Sequence, residues 1–534
     1  IGTVTSVSYD PILSNNQATT STTVTGSEYG ATPSIVSISP NLVQAGSAAF
    51  TLTVSGAGFN PNSTVNLGTT ALTTSYVSPT QLTANVTAGE VANYGWEAVT
   101  VSNPMPGGGL SQIVPLTIYD LVGVTASGML YDPWGQTLYV TVPGTVAYGN
   151  TVAPVNPVTG AVGTPVVVGS EPTVMAETGD GNYLYISITG SYGLAQFNLL
   201  NRSLVTTITL GLTTATSMAA MPGTDSTLVM TINNGYDSFG IFDISGSNGT
   251  FRTNMSGYTE AGNPQFADAS DVYAENGNTF YRYAVNANGV TLIDSTALQG
   301  LAGYNGQFQI ANGLIYGGDG GIINPNPTPP VQIATLPAIE LSGSDEAGEV
   351  EGSVADPSLQ KQFLMLNNFG GNSAYDLVRY DLTSYLPESA LALPSSLAAV
   401  DSGWTMVRYG QDGIALLTVN QYNESGPASL MVLLRGPFVA PQELGTDTPA
   451  ALTSSSAGTI THGAGNTMLT LTGSNFLPGV AVTWNGNYRT TTVVDANHVN
   501  VAIPASDLAS AGTGSLVATN PGASASNTLE ITIN

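Results

Sequence analysis

The stretch Tyr131-Asp-Pro-Trp-Gly-Gln-Thr-Leu-Tyr-Val140 decides the fold, because its pattern returns along residues 121–444. The pattern is a turn rich in Asp, Gly and Pro, a β-prone apolar run, a polar turn and a second apolar run. Further copies begin near Gly179, Pro222, Glu275, Asn312, Asp356 and Gln411. A repeat of roughly 40–50 residues with four short strands is typical of a propeller blade, which cannot bury both of its faces alone. The sequence therefore predicts a seven-bladed β-propeller over residues 120–444.

The amino-acid sequences of the first two copies also resemble a known family of repeats. Leu138-Tyr-Val140, Leu184-Tyr-Ile186 and the later Val168-Gly-Ser-Glu-Pro172 resemble the YVTN-type repeats of bacterial propellers. This resemblance implies a propeller fold and a secreted setting, and it implies little about chemistry.

Residues 32–119 and 448–534 form two further units that are similar to each other. Ala49-Phe-Thr-Leu-Thr-Val-Ser-Gly56 in the first corresponds to Met468-Leu-Thr-Leu-Thr-Gly473 in the second, and both units close on an Asn-Pro turn. Short alternating strands with a turn every 8–12 residues indicate an immunoglobulin-like sandwich. The predicted fold class is therefore all-β, with the propeller flanked in sequence by two sandwiches.

Both units resemble the IPT/TIG family of immunoglobulin-like domains. In the first unit the resemblance rests on Ile35-Val-Ser-Ile-Ser-Pro40, on Gly56-Ala-Gly-Phe59 and on Val101-Ser-Asn-Pro104. The second unit departs from the family at its start, where Leu452-Thr-Ser-Ser-Ser456 replaces the Ser-Pro signature. The resemblance implies modules that space, stack or bind proteins.

Charge is scarce and one-sided in this chain. Only 8% of the residues are charged, and 8 basic against 35 acidic side chains give a net charge of −27. Phosphate binding needs clustered Lys and Arg, so nucleic acid is excluded as a partner. No apolar run approaches the roughly 20 residues of a membrane-spanning helix, so we expect no transmembrane segment.

The chain contains no cysteine, which excludes disulfides, thiolate chemistry and Cys-ligated metals. It begins at Ile1 without a basic and then apolar leader. We therefore expect a mature secreted chain, extracellular or at the cell surface, although a truncated sequence would begin in the same way.

Residues 1–31 form an N-terminal extension with two β-prone runs split by Asp10-Pro11. Such a segment can lie along its own first domain, or it can add as a strand to a neighbouring subunit. For the second case the predicted assembly residues are Val4, Val7, Tyr9, Ile12 and Val24. The sequence leaves both cases open.

No catalytic constellation can be identified, and we expect the protein not to be an enzyme. The two histidines, His462 and His498, lie in the last sandwich, and we expect the arginines of the propeller to be scattered over its surface or to pair between blades. The acidic run at residues 344–351 makes Asp345, Glu346 and Glu349 candidates for a Ca²⁺ site. Because their spacing departs from the EF-hand pattern, a solvated acidic loop is preferred, and no other cofactor is expected.

Three functions follow from these features. The first is an extracellular structural protein, a subunit of a surface layer, sheath or fibre, that self-associates into a homo-oligomer or filament through its Ig-like domains and N-terminal strand. The second is a surface adhesin whose propeller binds a cell-surface glycan or protein. The third, ranked last, is a propeller hydrolase or lyase acting on polysaccharides.

Overall fold

A computed structural model describes most of the chain. The described residues are 2–3, 17–18, 31–105, 107–146, 148–233, 237–257, 262–301, 308–337, 348–368, 374–394, 397, 404–419, 429–441, 449–521 and 523–534. Within them the regular structure is β-strand with two short 3₁₀ turns, Thr189–Ser191 and Ala505–Leu508. The chain divides into one compact unit of residues 1–40, 48–90 and 97–116 and a second of residues 41–47, 91–96 and 117–534.

The N-terminal part of the chain contributes twelve strands. Strands β1 to β12 are Gly2–Thr3, Gln17–Ala18, Ser34–Ser39, Leu42–Gln44, Phe50–Ala57, Thr64–Leu67, Thr70–Ala71, Thr73–Ser78, Gln81–Val86, Gly95–Asn103, Gly109–Leu110 and Val114–Val122. In the N-terminal extension, β1 pairs antiparallel with β2. The predicted assembly residues Val4, Val7, Tyr9, Ile12 and Val24 lie outside the described residues.

The first sandwich has a four-stranded sheet in the order β3-β5-β9-β8, packed against strands that include β6, β7, β10 and β11. Strand β5 alternates: Leu52 and Val54 are fully buried, while Thr51 is exposed. Because successive side chains of a strand point to opposite faces, this alternation puts one face of β5 in the core.

The propeller strands follow in chain order. Strands β13 to β24 are Gly128–Asp132, Thr137–Val142, Thr151–Val155, Val166–Val167, Pro172–Glu177, Tyr183–Ile188, Gly193–Asn198, Ser203–Thr209, Thr214–Ala220, Thr227–Asn233, Asp237–Ser245 and Asn248–Phe251. Strands β25 to β39 are Gly262–Asp268, Asp271–Asn276, Thr279–Asn286, Gly289–Ala297, Gln309–Ala311, Leu314–Tyr316, Gly321–Asn324, Val331–Thr335, Glu349–Asp356, Lys361–Asn368, Ala374–Asp381, Leu386–Ala392, Trp404–Tyr409, Gly413–Val419 and Ser429–Arg435.

Strands β13 to β36 form six antiparallel sheets of four consecutive strands each. The next sheet takes β37, β38 and β39 from the end of the repeat and its fourth strand from β12, where Asp120, Leu121 and Val122 pair with Leu433, Val432 and Met431. The first strand of that sheet, β37, contacts β13. The described residues therefore form six four-stranded propeller sheets, and in a further, larger sheet β12 pairs with the last strand of the repeat.

Each blade buries its second strand on both faces. In β14, Leu138 and Val140 pack in a core shared with the blade of β37–β39, whereas Tyr139 between them packs in a core shared with β18 and β19. In β18, Leu184 and Ile186 face back to the first blade and Tyr185 faces onward to the third. The Leu-Tyr-Val motif of the repeat therefore follows from packing, because successive side chains of the strand face different neighbouring blades.

The second sandwich completes the chain. Strands β40 to β48 are Ala451–Ser455, Thr459–Ile460, Thr467–Ser474, Ala481–Trp484, Asn487–Arg489, Thr491–Asp495, His498–Ile503, Gly512–Thr519 and Leu529–Ile533. Its sheet order β40-β42-β46-β45 repeats that of β3-β5-β9-β8 in the first sandwich. Trp484 fills its core, and a Cβ at Gly514 would lie 1.9 Å from the Trp484 ring. The prediction of an all-β chain with a propeller and two Ig-like sandwiches is confirmed.

Tyr185 gives a test of the contact between blades. Its hydroxyl donates to the Asp225 carbonyl of the next blade at 2.7 Å and accepts from Gln196 Nε2 at 3.0 Å. We expect Tyr185→Phe to lower the free energy of unfolding by about 1–2 kcal/mol through the lost hydrogen bonds. Tyr185→Ala should cost about 3–5 kcal/mol because a cavity is added. Urea unfolding followed by tryptophan fluorescence measures both, with Tyr192→Phe at an exposed site as control. Equal stability of the Tyr185→Ala variant and the wild type would contradict this packing.

Candidate binding cleft

The candidate sites from the sequence fall in different places. Asp345 and Glu346 lie outside the described residues, and Glu349 is the exposed first residue of β33. Among the described residues no three His, Asp or Glu side chains come together as a metal site. His498 pairs with Asp495 at 2.9 Å, where both side chains are about half exposed. These residues therefore do not form one site.

All eight basic side chains belong to the described residues, and seven of them pair with carboxylates. The pairs are Arg252–Asp243, Arg282–Asp294, Lys361–Asp381, Lys361–Glu388, Arg379–Glu388, Arg408–Asp356, Arg435–Asp412 and Arg489–Asp507. The Arg408–Asp356 pair joins two neighbouring blades, whereas the other pairs lie within one blade or, for Arg489–Asp507, within the second sandwich. Arg202 has no such partner among the described residues, and its side chain is exposed.

Arg202 lines a cleft whose volume is about 770 Å³. The cleft is bounded by the loops of the first and last blades and by the β43–β44 hairpin of the second sandwich. Arg435 and Arg489 line it as well, so three of the eight basic side chains of the chain converge there. Its only acidic lining residue among the described residues is Asp412, which pairs with Arg435 at 3.4 Å.

The cleft exists because the second sandwich docks on the propeller. Thr490 Oγ1 donates to the Pro133 carbonyl at 2.6 Å, and Gln136 Nε2 donates to the Tyr488 carbonyl at 3.2 Å. Asn466 Nδ2 donates to the Asp180 carbonyl of the second blade at 2.9 Å. The end of the propeller where these bonds form, called here the docking face, carries the turns that join the first and second strands of the blades.

The Asp132 turn shapes the propeller side of the cleft. Asp132 Oδ1 accepts hydrogen bonds from the backbone amides of Trp134 and Gly135, both at 2.8 Å, and so closes the turn. The Trp134 ring then lies over Gly181 of the second blade, where a Cβ would meet the ring at 2.2 Å. The Asp-Pro-Trp-Gly sequence therefore fixes the turn and ties two blades together.

The remaining walls of the cleft differ in character. Tyr131 and Tyr409 lie at its base with ring centroids 6.2 Å apart, and the Tyr409 hydroxyl donates to the Leu434 carbonyl at 3.0 Å. On the opposite side, the connection between β15 and β16 presents Val158 and Val162, which are 59% and 39% exposed. The cleft thus combines cations, tyrosine edges and an aliphatic wall.

The two sandwiches differ at the docking hairpin. The register of β6 with β7 matches that of β43 with β44, so Ala71 and Leu72 stand where the second sandwich has Tyr488 and Arg489. Tyr488 is the residue that contributes its carbonyl to docking, and burial raises the pKa of its hydroxyl far above the ordinary value. Only the second hairpin therefore offers an aromatic ring and a cation to the cleft.

Two buried carboxyl groups, those of Glu177 and Asp132, lie next to the turn that shapes the cleft. Burial raises the pKa of Glu177 well above its ordinary value, and the negative charge of the nearby Asp132 raises it further. Burial also raises the pKa of Asp132, although the amides of Gly135 and Trp134 oppose this shift. Two carboxyl groups that interact in a buried site titrate together rather than independently, and the protonated form of Glu177 is favoured.

Sequence reasoning did not identify this site. The cleft is formed by parts of the chain near Tyr131 and near Tyr488, which are more than three hundred residues apart in sequence. The copy of the repeat at Asp132 carries a Trp that the other copies lack. This Trp was the one signal in the sequence that the turn contacts another blade. Nothing in the pattern around Arg202 or Arg489 indicates that they meet.

The carboxyl pair predicts a pH dependence of stability. A carboxyl with a raised folded-state pKa stabilises the fold below its unfolded pKa, and this contribution is lost as the pH rises through the folded pKa. We therefore expect the thermal midpoint of the wild type to fall between pH 5 and pH 7.5 by more than that of Glu177→Gln, whose amide stays neutral. Thermal unfolding followed by circular dichroism at both pH values measures the difference. Glu530→Gln at an exposed site is the control, and parallel pH profiles of the wild type and Glu177→Gln would refute a raised pKa at Glu177.

The fold has known counterparts at low similarity. A fungal alcohol oxidase of the AA5 family, in complex with copper, is 10% identical, with 78% of this chain and 98% of that chain covered and a TM-score of 0.45. The Cps50 (Swd1) β-propeller domain of Myceliophteria thermophila is 9% identical, with 58% and 96% covered and a TM-score of 0.40. Hydrazine synthase of Kuenenia stuttgartiensis is 16% identical, with 48% and 77% covered and a TM-score of 0.35. At such values none of the three informs function.

No curated protein matches the chain. In the part of the chain that the structure describes, no helix has the length and apolar character needed to cross a membrane. The IPT/TIG domain model matches residues 33–118 and residues 453–533. The chain therefore carries two IPT/TIG domains together with a β-propeller, a combination that fits a surface or binding protein.

Proposed function

We propose that this protein is an extracellular structural protein, a subunit of a surface layer, sheath or fibre, that joins copies through its Ig-like domains and its N-terminal strand. The observation that carries the proposal is the absence of charge on the edges of the first sandwich. Its four-stranded sheet ends in β3 on one side and β8 on the other.

Sheet edges invite pairing with another chain, and soluble proteins usually protect them with Lys, Pro or inward-pointing charges. Between residues 32 and 119 the charged residues are Glu90 and Glu97, and neither lies in β3 or β8. Strand β3 reads Ser-Ile-Val-Ser-Ile-Ser and strand β8 reads Thr-Thr-Ser-Tyr-Val-Ser. These edges lack the charges that keep copies apart.

The same edges also present apolar side chains. Val36 is 80% exposed on β3 and Val77 is 54% exposed on β8. Each valine sits at a shift in register, where a bulge limits how far a neighbouring strand can pair. Contact between copies would therefore combine a short run of backbone pairing with burial of these valines.

The N-terminal extension supports the same proposal through its chemistry. The backbone of β1 and β2 already pairs as strands. If this part of the chain pairs with a neighbour, Val4, Val7, Tyr9, Ile12 and Val24 are the side chains that we propose to enter the groove of that neighbour, as those of donor strands do. Self-association into a homo-oligomer or filament in an extracellular location follows as part of this proposal.

The cleft favours a second candidate, a surface adhesin or binding protein for a glycan or protein. Its volume of about 770 Å³ is within the range of ligand pockets. A propeller hydrolase or lyase has less support, since polysaccharide hydrolysis uses a pair of carboxyl groups. The carboxylates that line the described cavities are Asp412 and Asp356, and both are engaged in ion pairs with arginines.

Charge placed on the sandwich edges should block assembly. We expect Val36→Lys combined with Val77→Lys to raise the protein concentration at which assemblies form by about tenfold. A lysine at a pairing edge would repel the lysine of another copy or lose its hydration on contact. Sedimentation velocity and negative-stain microscopy of the full chain measure the change. The matched control is Val205→Lys, at a position of β20 that is 52% exposed. An equal effect of the control, or none from the double variant, would remove the edges from the interface.

Deletion of residues 1–30 tests the N-terminal strand separately. If the extension bonds to a neighbour, the shortened chain should remain folded and monomeric at concentrations where the full chain assembles. Circular dichroism checks the fold and sedimentation velocity checks the assembly. Assembly that survives the deletion unchanged would exclude strand donation and leave the sandwich edges as the proposed contact.

A further inference from the structure

The cleft beside Arg202 continues into a second cavity along the seam between the propeller and the second sandwich. The second cavity has a volume of about 290 Å³. Gln411, Asp412 and Arg435 line both cavities. The two cavities therefore form one elongated groove, called here the seam groove, and the Arg435–Asp412 ion pair lies where they meet.

The second cavity gives the seam groove an apolar part. Trp96 lines this cavity and is partly exposed, and its indole ring lies against Gly436, where a Cβ would meet the ring at 2.6 Å. Pro437, Pro441 and Pro521 add further apolar surface. An aromatic ring held against the backbone in this way offers a rigid, flat contact surface to a ligand.

The charge of the seam groove is opposite in sign to the net charge of −27 of the chain. Its charged lining residues among those described are Arg202, Arg435, Arg489 and Asp412. Arg489 is paired with Asp507 at 2.5 Å, and Arg435 meets Asp412 at the longer distance of 3.4 Å. Arg202 is exposed and forms no ion pair among the described residues, so its charge is available to a ligand.

The acidic groups of the docking face lie outside the seam groove. Asp180, Asp225, Asp268 and Asp271 form no ion pair among the described residues, and none of them lines either cavity. The charged neighbours of a ligand in the groove are therefore arginines and one carboxylate that is already paired. This local balance favours a negatively charged ligand.

Side-chain amides supply further hydrogen-bonding groups. Gln411 and Asn487 line the groove, and their side chains form no hydrogen bond among the described residues. Gln136 uses Nε2 for the Tyr488 carbonyl, and Asn156 uses Oδ1 for amides of its own turn, so Gln136 Oε1 and Asn156 Nδ2 remain. An amide both donates and accepts, and so does each hydroxyl group of a sugar.

We propose that the seam groove binds an oligosaccharide that carries carboxylate groups. Arg202 pairs with a carboxylate of the ligand, and the amides of Gln411 and Asn487 bond to its hydroxyls. Trp96 contacts the apolar face of a sugar ring. The combined volume suits a ligand of several units, since ordinary ligand pockets measure about 300–1,000 Å³. The proposal rests on the second candidate function, a surface binding protein, and gives that site its ligand class.

A peptide is a less suitable occupant, because the sheet edge that lines the groove is already used. Strand β44 is the last strand of its sheet. The Tyr488 carbonyl in this strand accepts from Gln136 Nε2 at 3.2 Å and from Arg489 Nη1 at 2.7 Å. Addition of a peptide strand needs such backbone groups. A saccharide binds through hydroxyls and ring faces and needs no free edge.

Calorimetric titration of the full chain tests the proposal with two probes of different linkage. They are trigalacturonate and a hyaluronan tetrasaccharide, in which glucuronate alternates with N-acetylglucosamine. We expect at least one to bind, and its carboxyl methyl ester to bind about tenfold more weakly, because the ester keeps the hydroxyls and loses the charge that Arg202 bonds.

Variants then assign the binding to the groove. Arg202→Gln should reduce the preference for the acid over its ester to about twofold or less, since the amide has no charge to pair. Gln411→Ala should weaken the acid and the ester alike. The matched control is Arg252→Gln, which removes the same charge from the third blade outside the groove and should keep the wild-type preference. Circular dichroism checks that each variant is folded.

Several results would overturn the proposal. These are no binding of either saccharide at millimolar concentration, equal affinity of the wild type for acid and ester, and an equal loss of preference in Arg252→Gln. Tighter binding of a pentaglutamate peptide than of either saccharide would replace the sugar by an acidic peptide. Self-assembly is measured separately, by sedimentation without saccharide. A chain that assembles but binds neither saccharide keeps the proposed structural role, and a chain that binds a saccharide but stays monomeric loses that role alone.

Discussion

The fold depends on one constraint: the second strand of every blade is buried on both of its faces. A strand alternates its side chains with a period of two, so consecutive residues must satisfy different neighbours. Leu138 and Val140 pack toward one blade while Tyr139 packs toward the other. A blade removed from this arrangement would expose two apolar faces, and for that reason blades are stable only as part of a closed ring.

The same constraint explains how the ring closes. The last blade obtains its fourth strand from β12, which precedes the first blade in sequence. In that blade, Ala415 and Leu417 pack toward the first blade and Ile414 and Leu416 toward the sixth. Closure therefore uses the alternation found in every other blade, and the strand that completes the sheet also links the propeller covalently to the sequence of the first sandwich.

Much of this architecture could be predicted from the sequence, because each element is indicated by residues close together in the chain. The Asp-Gly turns, the Leu-Tyr-Val runs and the Asn-Pro closures all lie within single repeats, and each indicates its own element. The order β3-β5-β9-β8, repeated as β40-β42-β46-β45, follows from two similar stretches of sequence. Local patterns with a fixed period are the part of a fold that one sequence reveals.

The cleft could not be predicted, because it depends on contacts between distant parts of the chain. Thr490 reaches Pro133 and Asn466 reaches Asp180 across most of the propeller sequence. In the hairpin that docks, Tyr488 and Arg489 of the second sandwich occupy the positions that Ala71 and Leu72 occupy in the first. The sequence alone does not indicate which part of the chain these two residues contact. The weak Ca²⁺ candidates of the acidic run and the assembly residues of the extension were likewise drawn from short runs, and they stay predictions.

Scarcity of cations then determines what the docking face can do. In a chain with balanced charge, an exposed arginine beside a cleft would have many competing carboxylates and little specificity. Here seven of the eight basic side chains pair with carboxylates, and the eighth, Arg202, lines the cleft. An exposed ion pair contributes little to stability by itself. An ion pair that Arg202 made with a partner would therefore affect the choice of partner more than the strength of binding.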